Sequence, residues 1–249
     1  MARAVLFAAN WKMQVAPGEA RSYLDRFLAL DEPRPGRALA FFPPAVSLEA
    51  VASRLAGHDH IAVGAQDVHW EAKGAFTGAL SVALVRGAGA GAALIGHSER
   101  RHLFGESDSD TARKVSAVLA GGLQAMLCVG ETLAQREAGE TEGVVTRQLE
   151  VALQGVDSGA DLVIAYEPVW AIGTGLTATP ADAATVHAAI RRVLRGLGLP
   201  GTTRILYGGS VNLGNVEELL SQPELDGVLV GGASLDPDGW AAICRTVRP

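Results

Sequence analysis

Eight short apolar runs, at residues 5–9, 38–42, 61–65, 92–95, 125–129, 162–166, 205–207 and 228–230, recur roughly 25–40 residues apart along the chain. Each is nearly continuous in apolar character instead of alternating, as strands covered on both faces require. Stretches of helical period lie between them. Over 181–197, Ala184, His187, Ala188, Ile190 and Leu194 share one face, and Arg191, Arg192 and Arg195 are expected to point outward. Over 144–153, Val145, Leu149 and Ala152 form a stripe. Pro17 and Pro180 stand where the first N–H of a helix needs no partner. Strands alternating with helices predict an α/β fold with a parallel sheet.

Two architectures meet that description, an open doubly wound sheet and a closed eight-stranded barrel. The first wants a glycine-rich turn after the first strand, and here that strand runs into Asn10-Trp11-Lys12. The spaced glycines Gly87, Gly89 and Gly91 follow a helix and precede a strand, so they read as a helix end and a connector. No linker, low-complexity segment or shift of composition divides the chain. The expected architecture is a single-domain (β/α)8 barrel over residues 1–249.

A chain of 249 residues buries enough surface to fold without a disulfide or a structural metal. Its net charge of −6 argues against nucleic acid or a membrane surface as partner, since both call for a basic face. No apolar stretch reaches the ~18 residues of a membrane span. The first residues show no signal-peptide pattern. Cys128 and Cys244 are isolated in apolar surroundings and read as buried free thiols. Together these predict a cytoplasmic protein. His58, His60 and His69 lack a metal-ligand spacing and read as histidines at helix ends, complementing the dipole.

In a barrel of this kind the chemistry sits where strands hand over to loops at their carboxyl ends. The polar residues there are Asn10 and Lys12 after the first strand, and His97, Ser98 and Glu99 after the fourth. Cys128 and Glu131 follow at the fifth strand and Glu167 at the sixth. Gly208-Gly209-Ser210 ends the seventh strand, and Gly231-Gly232 the eighth. Each has a plain structural alternative. Lys12 could be a solvated lysine, His97 a hydrogen-bonded core histidine, and Glu99 a partner of Arg100 or Arg101. Glu167, flanked by apolar residues on both sides, is hard to explain as a surface charge. The two glycine pairs let the backbone approach a ligand and turn its N–H groups toward it. Beside Lys12 they point to a phosphate ester or another small anion. Residues 168–175, with a proline start, an exposed Trp170 and Ile172 and a Gly-Thr-Gly end, read as a lid.

The segments Asn10-Trp11-Lys12-Met13, Gly96-His97-Ser98-Glu99-Arg100-Arg101, Cys128-Val129-Gly130-Glu131-Thr132, Tyr207-Gly208-Gly209-Ser210 and Val230-Gly231-Gly232-Ala233-Ser234, together with the run AYEPVWAIGTG at 165–175, resemble the triosephosphate isomerase family along the whole chain. The resemblance implies the TIM barrel and a cofactor-free interconversion of dihydroxyacetone phosphate and D-glyceraldehyde 3-phosphate in glycolysis and gluconeogenesis. It implies Glu167 as the base. It makes His97 the electrophile and proton shuttle, held as neutral imidazole by a helix N-terminus, an arrangement well known in that family. Lys12, with Asn10 beside it, becomes the cation that stabilises the enediolate and the phosphate. It assigns the phosphate to main-chain N–H groups at Gly173, Ser210, Gly231 and Gly232, and gives Glu99 and Cys128 supporting places. It also implies a homodimer whose loop around Thr77 inserts near the partner's Asn10, Lys12 and Glu99. One departure bears on that dimer. The family's usual Thr-Gly-Glu reads Thr77-Gly78-Ala79 here, so the glutamate expected opposite Arg100 is missing. The rival readings are another phosphosugar barrel enzyme and a secondary binding or adhesion role.

Overall fold

The computed structural model describes residues 4–173 and 178–246. Its eight strands are β1 (Val5–Asn10), β2 (Arg37–Phe42), β3 (Ile61–Ala65), β4 (Ala92–Ile95), β5 (Gln124–Val129), β6 (Leu162–Tyr166), β7 (Arg204–Tyr207) and β8 (Gly227–Val230). They pair in parallel, in sequence order, and β8 returns to β1 to close the barrel. Every apolar run therefore becomes a strand, lengthened in places by one residue such as Asn10 or Arg37. The helices are α1 (Pro17–Leu30), α2 (Leu48–Leu55), α3 (Val82–Gly87), α4 (Ser98–Leu103), α5 (Asp108–Ala120), α6 (Leu133–Glu137), α7 (Thr141–Leu153), α8 (Pro180–Gly196), α9 (Val216–Leu220) and α10 (Pro237–Cys244). None of them is long and apolar enough to cross a membrane.

Local chemistry sets the helix starts. Pro17 and Pro180 occupy first-turn positions. Ser107 with Asp110, Thr132 with Gln135 and Thr179 with Asp182 form reciprocal capping boxes. The continuous apolar strands feed two separate cores. Leu6, Ala8, Phe42, Leu94, Met126 and Cys128 fill the barrel interior. The intervening residues, such as Phe7, Ala9, Phe41 and Leu127, pack outward under the helices. Gly64 leaves room inside for the Phe42 ring, which a Cβ there would overlap.

Two expectations change. On α8 the inward residues are Ala183, Val186, His187, Ala189, Ile190 and Leu194, and Arg191 joins them with only 2% of its surface exposed. Its guanidinium meets Asp226 and Glu224, each at 3.0 Å, and the Thr203 carbonyl, partners that make its burial tolerable. Two of the three histidines are not helix-end devices, while the His58 N–H donates to Leu55 at the end of α2. His60 pairs with Asp31 at 2.9 Å, and the His69 ring lies between Trp70 and Phe76. Cys128 and Cys244 are buried free thiols, as expected.

Candidate active site

A cavity of about 480 Å³ opens at the carboxyl ends of the strands. Asn10, Lys12, His97, Glu167, Gly173, Ser210, Gly231 and Gly232 all line it. Glu99 reaches it through Lys12, Cys128 lies beneath it in the barrel interior, and Thr77 sits on a separate exposed loop.

The β1 end is built to hold Lys12 in an unusual backbone. Its φ of 52° lies in the left-handed region, which is uncommon for a residue with a side chain. The Asn10 side chain accepts the Lys12 N–H at 3.0 Å, and Gln66 donates to the Lys12 carbonyl at 2.9 Å. Both ends of the strained peptide are thus fixed. The ammonium donates to Glu99 at 2.7 Å, so Glu99 takes this partner in place of Arg100 or Arg101. Lys12 Cε lies 3.1 Å from where a Cβ on Gly231 would stand, which brings the lysine against the loop after β8.

His97 caps α4. Its Nδ1 accepts the Glu99 N–H at 3.3 Å, and Nε2 faces Glu167 Oε1 at 3.0 Å. The second Glu167 oxygen accepts the Ser98 N–H at 2.8 Å. Burial pulls the His97 imidazole down, but the Glu167 carboxylate and then Glu99 carry it above its ordinary value, against Lys12. Burial alone would raise Glu167. His97, the Ser98 amide and Lys12 together hold it below the usual carboxylate range. The Nδ1 bond needs a lone pair, which places the proton of the neutral ring on Nε2. Turning the carboxylate away removes the main upward pull and leaves the ring to the α4 amide.

The backbone under Glu167 is rigid. Its N–H donates to Val129, and a Cβ at Gly130 would overlap its carbonyl. Only the side chain is free to turn. Gly208 leaves it space, since a Cβ there would stand 2.9 Å from Glu167 Cγ. Beneath it, burial and then the same carboxylate push the Cys128 thiol well up, so it stays protonated.

Trp170 is half-buried, not exposed. Its indole donates to Glu131 at 2.9 Å, and Arg136 lies 4.2 Å over its ring. Glu131 is fully buried and also accepts from Tyr166. Ser210 Oγ donates to the Ala171 carbonyl at 2.8 Å, tying the loop after β7 to the segment after β6. The first part of the expected lid is thus anchored at two points. Residues 174–177 lie outside the described residues.

Sequence reading named Glu131 only as a strand end and missed Gln66, Val211 and Asn212. Glu131 and Gln66 act through partners distant in sequence. Val211 and Asn212 line the cavity only because of how the loop after β7 folds. The Phe76 ring is 45% exposed and lies tilted against His69, with centroids 4.3 Å apart. Arg100 finds Asp67 at 3.1 Å within its own chain.

The triosephosphate isomerase family model matches residues 5–247. A triosephosphate isomerase from Roseiflexus castenholzii is 47% identical over 252 residues, covering 99% of each chain. One from Aquifex aeolicus is 46% identical over 241 residues, covering 96% of this chain and 97% of its own. One from Chloroflexus aurantiacus is 49% identical over 246 residues, covering 97% and 98%. The chain belongs to the triosephosphate isomerase family.

Proposed function

We propose that this chain interconverts dihydroxyacetone phosphate and D-glyceraldehyde 3-phosphate, with Glu167, His97 and Lys12 as its catalytic groups. The observation that carries the reading is the His97–Glu167 pair, 3.0 Å apart and buried at the floor of a cavity that Lys12 and two glycine turns also enter.

The reaction moves a proton between adjacent carbons. The ionised Glu167 carboxylate, released from His97 and the Ser98 amide, takes the proton α to the carbonyl. The C–H electrons form the carbon–carbon double bond, and the carbonyl π electrons pass to oxygen. His97 Nε2–H stands ready to protonate that oxygen and later to accept the proton of the neighbouring hydroxyl. Lys12 and Asn10 meet the negative charge as it develops, in a site whose dipoles are already set. Glu167 then returns its proton to the second carbon. No redox partner is needed. The phosphate is assigned to the N–H groups of Gly173, Ser210, Gly231 and Gly232, with Lys12 on the same side. Glu99 orients Lys12, and Cys128 packs under Glu167.

A homodimer is part of the reading. Met13, Phe76 and Phe104 are exposed on the loops after β1 and β3 and at the end of α4, all toward the carboxyl end of the barrel. The loop around Thr77 is preformed by Phe76 and Ala79 backbone bonds and is free to insert in a second copy. Free buried thiols fit a reducing compartment such as the cytoplasm. A coupled assay with D-glyceraldehyde 3-phosphate tests the activity, and absence of turnover refutes it. Sedimentation tests the dimer.

A further inference from the structure

Tyr23, on α1, is buried and belongs to no strand end, yet its hydroxyl donates to the Ser234 carbonyl at 2.7 Å. Ser234 closes a tight turn after β8. Its N–H and its hydroxyl both donate to the Gly231 carbonyl, at 2.9 and 2.7 Å. Gly231, Gly232 and Ala233 of that turn line the cavity. On its other side the Tyr23 ring packs edge-on against Trp11, with centroids 4.8 Å apart, and Trp11 is the residue before Lys12. One side chain thus touches both arms of the anion end of the site, the lysine loop and the glycine turn. Burial, then Cys244 and Asp236, push the phenol well above its ordinary value, so the hydroxyl remains a donor throughout the working pH range.

Resting on the function proposed above, we infer that the Tyr23 hydroxyl is a positioning group for the phosphate. It fixes the 231–234 turn at the height and tilt that let its backbone meet the anion beside Lys12. The rest of the ring serves packing with Phe27 and Phe41 and could be supplied by any aromatic residue. The hydroxyl has a different task, because its one proton is given to the turn, with the Trp11 indole beside its oxygen. Losing it leaves the Ser234 carbonyl buried without its donor, and the turn gains freedom where the ligand needs it fixed.

Tyr23→Phe keeps the ring and removes the bond. The expected result is a rise in KM for D-glyceraldehyde 3-phosphate of about 3- to 10-fold, the range of one neutral hydrogen bond. The dissociation constant of inorganic sulfate, measured by calorimetry, should rise by a similar factor, with a smaller change in kcat. Phe27→Leu, a packing change in the same aromatic cluster, should lower thermal stability and leave both constants in place. A Tyr23→Phe protein whose KM and sulfate constant match the parent overturns the inference, as does a Phe27→Leu protein that weakens sulfate equally. Sulfate binding does not depend on turnover. A chain inert toward the triose phosphates whose sulfate affinity still falls in Tyr23→Phe therefore loses the proposed function and keeps the positioning role.

Discussion

The two ends of the barrel bury charge in different ways. At the amino end, Arg191 meets Asp226, Glu224 and the Thr203 carbonyl, and Asp226 also accepts the Ile205 N–H. At the same end, by the starts of β2 and β3, Asp31 is shared by Arg37 and His60. Apart from the Arg37 Nε, these groups are held by partners at or near the strand starts, and none of them lines the cavity at the carboxyl end. At the carboxyl end, Glu167 and His97 are as deeply buried, but they face open space, and Lys12 sits on a strained backbone. A buried charge with every partner in place is structure. A buried charge whose partners must be released for it to act, beside room for a ligand, is chemistry.

The sharpest way to break that contrast is Glu167→Gln. It keeps shape and removes the base, so kcat should fall by at least ~10²-fold while sulfate still binds. A kcat near the parent's would place the base elsewhere. The amino end should respond in the opposite currency. Arg191→Leu removes the guanidinium from beside Asp226 and should destabilise the fold by about 3–5 kcal/mol, read by urea denaturation. KM of the protein that remains folded should hold. If Arg191→Leu altered KM strongly with little loss of stability, the division between the ends would be wrong.

How much of this is legible in the sequence follows from the same contrast. The strands are legible because a parallel barrel covers them on both faces, so each reads as an unbroken apolar run. The chemical residues are legible because strand ends fall at fixed places after those runs. His97, Glu167 and the glycine turns at 208–209 and 231–232 need no long-range knowledge to be picked out. Arg191 is not legible, because its helical position resembles Arg192 and Arg195, which lie outside, and its partners Glu224 and Asp226 are 33 and 35 residues away. Trp170 is misread for the same reason, since its anchor Glu131 arrives from another strand. Glu99 has two arginines next to it in sequence and chooses Lys12, 87 residues distant. Pairing across the barrel decides these cases, and local pattern carries no trace of it.

His187 extends the comparison to pH. Burial, against the Glu224 carbonyl that accepts from its ring, pulls it from 6.5 down to about 4. The unfolded chain therefore takes up a proton near pH 6.5 that the folded chain refuses until about pH 4. This contribution to stability is complete above pH 6.5 and is lost as pH falls from 6.5 to 4. Its size is about 3 kcal/mol. Urea midpoints across that window should fall less steeply in His187→Gln than in the parent, and parallel curves would refute the assignment. At the carboxyl end, Gly232→Glu tests the anion site with little strain, since a Cβ there meets nothing within 4 Å. A carboxylate close to the phosphate should raise KM by about 10²-fold and abolish sulfate inhibition. Inhibition with its original constant would remove the anion from this loop.

The smallest effect concerns the carboxyl-end charges that behave like those at the amino end. Arg100 lies among the loops proposed to meet a second subunit, yet it is already paired with Asp67 at 3.1 Å and stacks 4.5 Å over Phe104 within its own chain. Asp67 and Glu106 are further tied to the buried Lys114. A guanidinium so occupied has little to gain from a carboxylate across the interface, which makes Ala79 tolerable. The proposed dimer should then rest on Phe76, Met13 and the Thr77 loop, and its dissociation constant should change little between low and high salt. Ala79→Glu offers the missing carboxylate to the partner's Arg100. Because Asp67 competes for the same group and the pair is exposed, the gain should be at most ~1 kcal/mol, and it should vanish in high salt. Sedimentation equilibrium of both proteins across a salt series reads this directly. A larger gain in Ala79→Glu, or a parent dimer that dissociates as salt is added, would show that Arg100 is not satisfied within its own chain and that an ion pair across the interface governs the association.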